Sequence, residues 1–147
     1  MRRDHKPYSM RLLVNFVRRL YTNWRLKPQF AAVGSGLEII GPHRLEIWGG
    51  DIYLGDNVHM QTSKGQMSRL CTWPNETGGR GRIDIGSHTL LTPGLQIVSA
   101  NHVSIGDNVM IASRVYISDA DWHEIYDRLA SPGPHRPRSR DARGRRR

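Results

Sequence analysis

Four acidic or aromatic residues surround one histidine late in the chain: Asp119, Asp121, Trp122 and Glu124 lie about His123. Imidazole is the side chain best suited to take a proton near neutral pH, and a carboxylate on its second nitrogen fixes the tautomer. A loop of this kind can therefore abstract a proton from a hydroxyl. A solvated surface histidine has the same local sequence, and residue types alone leave both readings open. His102, after Ser99-Ala100-Asn101, competes with His123 as the base. His59 and His88 fall at turn or outward positions, where a structural or solvated role is expected. The spacing of Asp119, Asp121, His123 and Asp127 matches no strong metal motif, so no metal site is expected. Cys71 is the single cysteine, which excludes an intramolecular disulfide and a cysteine-based metal site. It reads as a small hydrophobe.

The elements that must position these residues carry a repeat. Ile52-Tyr-Leu-Gly-Asp-Asn-Val-His-Met60, Ile83-Asp-Ile-Gly-Ser-His-Thr-Leu-Leu91 and Val103-Ser-Ile-Gly-Asp-Asn-Val-Met-Ile111 are three copies of one pattern. Its aliphatics continue at intervals of six, through Ile85, Leu91 and Ile97, and through Ile105, Ile111 and Ile117. A period of six fits neither a helix nor a hairpin. It fits short strands joined by tight turns, each strand turning alternate residues inward. Three such faces make a triangular coil, and only stacked coils bury a continuous aliphatic column. Glycine is expected to turn each corner, as at Gly86-Ser87-His88. The wider spacing of the first two copies is expected to reflect a loop within Gln61–Arg82, with a turn signal at Trp73–Asn75. The alternating stretches Gly34–Ile39 and Leu45–Ile47, with turns at Gly41-Pro42 and Gly49-Gly50, read as an irregular first coil whose expected inward residues are Leu37, Ile39, Leu45, Ile47, Ile52 and Leu54.

This pattern resembles the hexapeptide-repeat acyltransferases over roughly Gly34 to Arg128. The closest stretch is Val103–Arg128, which is similar to the segment of sugar O-acetyltransferases where a coil ends in a loop bearing the catalytic histidine. The resemblance implies an all-β chain, a left-handed parallel β-helix (a hexapeptide-repeat solenoid) preceded by an amphipathic helix. It implies acetyl transfer from acetyl-CoA to a hydroxyl of a sugar or polysaccharide precursor, without metal, in a homotrimer. His123 is then the base, with Asp121 and Asp119 as its acidic partners. Trp122, Glu124, His102 and Asn101 are the expected substrate contacts. The family continues past this loop with further coils; here the coil pattern does not resume. The composition changes to Arg, Pro, Ser and Gly, as in out-of-frame reading of GC-rich DNA. The chain is thus expected to be a truncated or frameshifted member. The alternative is a non-catalytic solenoid remnant that only associates with other proteins.

Three segments follow from this reading: residues 1–33 with the helix, 34–130 with the coils, and 131–147 as a tail. Leu12, Leu13, Phe16, Val17, Leu20, Tyr21 and Trp24 form a helical stripe over residues 9–27, with Ser9 as N-cap and Pro28 as stop. The stripe is expected to pack on the first coil and close the stack, and its arginines allow peripheral membrane contact. The formal charge is +9, but residues 131–147 hold seven Arg and one Asp, leaving 15 basic and 12 acidic residues elsewhere. That tail lacks large apolar residues and is expected to be disordered. It has no aromatic interleaving, so nucleic-acid binding is disfavoured. There is no stretch of roughly 20 apolar residues and no signal-peptide core, so a cytoplasmic location is expected.

Overall fold

A computed structural model describes residues 7–74 and 78–120 and contains, among them, twelve short strands in four successive coils. The first coil has β1 (Ala32–Val33), β2 (Glu38–Ile40) and β3 (Leu45–Trp48). The second has β4 (Ile52–Leu54), β5 (His59–Gln61) and β6 (Ser68–Thr72). The third has β7 (Arg82–Ile85), β8 (Leu90–Leu91) and β9 (Gln96–Ser99), and the fourth β10 (His102–Ile105), β11 (Met110–Ile111) and β12 (Tyr116–Ser118). Each strand pairs in parallel with its counterpart one coil away. The result is three four-stranded sheets, β1-β4-β7-β10, β2-β5-β8-β11 and β3-β6-β9-β12. Register follows the repeat: Ile83 lies beside Val103, Leu91 beside Ile111 and Ile97 beside Ile117.

The column inside is aliphatic. Ile52, Ile83 and Ile97 are fully buried, and Leu54, Met60, Leu70, Ile85, Leu91 and Ile111 pack with them. Ile105 and Ile117, in the last coil, are partly buried against the same core. In the first coil Ile39 and Leu45 are buried, while Leu37 and Ile47 are partly so.

The turns reveal a division of labour that the repeat motif conceals. The left-handed backbone falls two residues after the motif glycine, at Gly36, Asn57, His88 and Asn108, with φ of 71°, 53°, 57° and 56°. Gly55 and Gly86 serve stacking instead. A Cβ on Gly86 would lie 2.5 Å from the Gly106 carbonyl carbon, and one on Gly55 2.7 Å from the Ser87 nitrogen. The residue after each glycine links the coils. Asp56 Oδ1 accepts from the Ser35 amide at 2.6 Å, Ser87 Oγ from the Asp56 amide at 3.1 Å, and Asp107 Oδ1 from the Ser87 amide at 2.6 Å. Donation from the Ser35 amide first and the Ser35 hydroxyl second holds the Asp56 carboxyl below the usual carboxylate range.

Several expectations are corrected. The chain is not all-β and is not a regular left-handed hexapeptide β-helix. Residues 8–29 are helical: α1 (Tyr8–Tyr21), then a π-helical turn Thr22–Leu26 and a 3-10 turn Lys27–Gln29. The coils are unequal, as the spacing of the repeat copies implies. Ile83 pairs with Ile52, thirty-one residues back, but with Val103 only twenty ahead. The observed architecture is three parallel four-stranded sheets in solenoid-like order plus one N-terminal helix. The single loop expected in 61–82 is two excursions on either side of β6, whose Leu70 pairs with Ile97 and is fully buried. Cys71, in the same strand, is buried, and desolvation raises its thiol pKa. The helical stripe does not pack on the first coil. α1 has no buried residue, begins after Pro7 and receives no cap from Ser9. The end of the column is filled instead by Leu26 and Phe30.

Candidate functional site

The sheet β1-β4-β7-β10 presents its polar residues on one outer face. Alternation along β7 turns Ile83 and Ile85 inward and Arg82 and Asp84 outward; along β10 it turns Val103 inward and His102 and Ser104 outward. Register then brings neighbours together. Tyr53, Asp84 and Ser104 lie in one row, and Arg82 and His102 in the next.

The contacts in this patch are short and charged. His102 Nε2 lies 2.5 Å from Asp84 Oδ2. Arg82 grips the same carboxylate from its own strand, Nε to Oδ2 at 2.7 Å and Nη2 to Oδ1 at 2.7 Å. The guanidinium carbon stands 4.0 Å from the centroid of the Tyr53 ring. Hydrogen bonding from Arg82, with a further contribution from His102, lowers the Asp84 pKa against a smaller opposing desolvation. An ionised carboxylate only accepts, so Nε2 of His102 donates to Asp84. In the neutral ring Nδ1 is then the acceptor, and no described residue hydrogen-bonds it. The imidazole is about half exposed. The imidazole is thus oriented and half exposed.

A second contact fixes the approach to His102. Asp119 accepts from Ser99 Oγ at 2.9 Å, from the Ala100 amide at 2.6 Å and from the Asn101 amide at 2.9 Å. The Asn101 carbonyl in turn accepts from the Arg82 amide at 2.9 Å. Asp119 therefore ties the corner from which β10 and His102 emerge. Both its oxygens are committed to that corner, so its observed role is positional. Asn101 is exposed beside His102. Asp121, Trp122, His123 and Glu124 lie outside the described residues, as does the segment 131–147.

Asp84, Arg82 and Tyr53 are the site residues that sequence reasoning missed. Their signal was the offsets between repeat copies: twenty residues sets Arg82 beside His102 and Asp84 diagonally across from it, and thirty-one sets Tyr53 beside Asp84. A further histidine–carboxylate contact, His59 Nδ1 to Glu38 at 3.1 Å, lies on the β2-β5-β8-β11 sheet; both side chains are more than half exposed. Among the described residues no group of three or more His, Cys, Asp or Glu side chains is placed to hold a metal ion. No described helix is long and apolar enough to cross a membrane. Comparison of the chain with family models, curated proteins and solved structures found no match.

Proposed function

We propose that this chain is an acyltransferase moving an acetyl group from acetyl-CoA to a hydroxyl of a sugar or polysaccharide precursor, with histidine as general base. The observation that carries the reading is the Asp84–His102 contact, which orients a half-exposed imidazole whose second nitrogen bonds no described residue. The resemblance of the repeat to that of hexapeptide-repeat acyltransferases supplies the reaction class. In this scheme Nδ1 of His102 takes the acceptor hydroxyl proton while that oxygen attacks the thioester carbonyl. The C–S bond breaks, and the proton passes to the departing thiolate. The thioester is already activated, so neither a metal nor a covalent enzyme intermediate is needed. Ionised Asp84 stabilises the imidazolium formed on the way.

The test is thiol release from acetyl-CoA with a panel of sugar acceptors. His102→Ala is expected to lower turnover by about 10²–10⁴. Retention of turnover in His102→Ala with loss in His123→Ala moves the base to the later loop. Loss in neither variant removes the histidine mechanism.

A second reading, a non-catalytic interaction solenoid, draws on the placement of the cluster. The His102 patch lies on an open sheet face, where Arg82–Asp84–His102 also ties two coils together. On that reading the parent chain releases no thiol with any acceptor, and His102→Ala lowers only the unfolding midpoint.

A further inference from the structure

We propose that the N-terminal helix docks on the surface of a bilayer carrying anionic headgroups. The observation is an unpartnered apolar stripe. Leu12, Leu13, Phe16, Val17 and Leu20 are each more than half exposed, and Trp24 is 87% exposed. At 100° per residue these side chains share one side of the helix. The solenoid takes the other side. Thr22 and Leu26, one turn apart, are the buried residues of the turn that follows, and Leu26 enters the core. The stripe is thereby turned away from the coils.

Charge identifies the occupant. Residues 8–29 contain no Asp or Glu. Arg19 borders the stripe, Arg25 is exposed in the π-helical turn that follows, and Arg18 lies behind it. Long arginine side chains at such margins reach anionic headgroups while the apolar side enters the acyl boundary. Exposed Trp24 suits the same interfacial depth. A second copy of the helix fits poorly, because pairing the stripes would bring the flanking arginines together without an acidic partner. No described helix is long and apolar enough to cross a membrane, so the helix is proposed to lie on the bilayer surface.

The experiment is flotation of the full chain with vesicles of phosphatidylcholine alone or mixed with phosphatidylglycerol, together with tryptophan emission. Expected are flotation with the mixed vesicles, weakening with salt, and a blue shift that Trp24→Phe removes. Phe16→Glu with Leu20→Glu should reduce partitioning at least about tenfold. Arg19→Gln and Arg25→Gln should each reduce it about fivefold. Residues 131–147 hold seven Arg, so the stripe variants distinguish the helix from that segment. If Phe16→Glu/Leu20→Glu still floats like the parent, or vesicles cause no Trp24-dependent shift, the proposal fails. It also fails if the free chain is a dimer that the same variant dissociates while no vesicle binds. Retained β-sheet circular dichroism shows that the variants fold, and the arginine variants test the proposal if the glutamate pair does not.

Discussion

Asp84 receives three donor nitrogens from two side chains, and its ionised form is what gives His102 a fixed direction. On the proposed acetyl-transfer reading, Asp84→Asn is expected to lower turnover by about 10²–10⁴ with little change in KM, because it removes orientation and charge without removing the proposed base. The same carboxylate contributes to stability. Its native pKa is lowered, so the contribution is complete above the ordinary aspartate value near about 4 and is lost as pH falls through the lowered native value. The gap in Tm between parent and Asp84→Asn should thus be widest at neutral pH and close in strong acid; a gap that grows on acidification would contradict the linkage. His102 is legible in the sequence as a candidate, but its partner is not. Asp119, Asp121 and Glu124 stand near histidine in the chain, and local proximity draws attention to them. A solenoid supplies partners from the adjacent coil instead, through register.

At the scale of the turn, glycine has two separate uses. Gly86 sits beneath the next coil, where an added methyl meets backbone 2.5 Å away. Gly106, the same position one coil later, has no described atom within 4 Å of such a methyl. Gly86→Ala should therefore destabilise the fold by about 1–3 kcal/mol, whereas Gly106→Ala should leave the denaturant midpoint unchanged or slightly raised. Equal effects at the two sites would show that stacking is not what Gly86 provides. The repeat makes the strands of the third and fourth coils legible, because glycine and the six-residue spacing recur there. It does not reveal β6. Ser68-Arg-Leu-Cys-Thr72 lacks the glycine motif and lies off the spacing, and its partner in β9 is twenty-seven residues ahead. The helical stripe is legible as amphipathic. Where it would face is not, since apolar spacing specifies a side without specifying what lies against it.

For the molecule as a whole, stability resides in one aliphatic column with no buried side-chain nitrogen or oxygen among the described residues left without a hydrogen bond. Ile97 is fully buried between Leu70 and Ile117 in register. Ile97→Ala should cost roughly 2–5 kcal/mol, read as a lower urea midpoint. Ile117→Ala, only partly buried, should cost less; the reverse order would place the centre of the column elsewhere. The unequal coils carry a consequence for how the chain can be lengthened. Successive strands of one sheet close a ring of thirty-one residues between Ile52 and Ile83 and of twenty between Ile83 and Val103. The entropy of closing a ring grows only with the logarithm of its length, so the larger ring is disfavoured by only about 0.4 kcal/mol. Ten further residues at exposed Gly78 would add about 0.2 kcal/mol more. The second coil is thus a place where this architecture can accept new sequence, and with it new surface, at almost no conformational penalty to the stack.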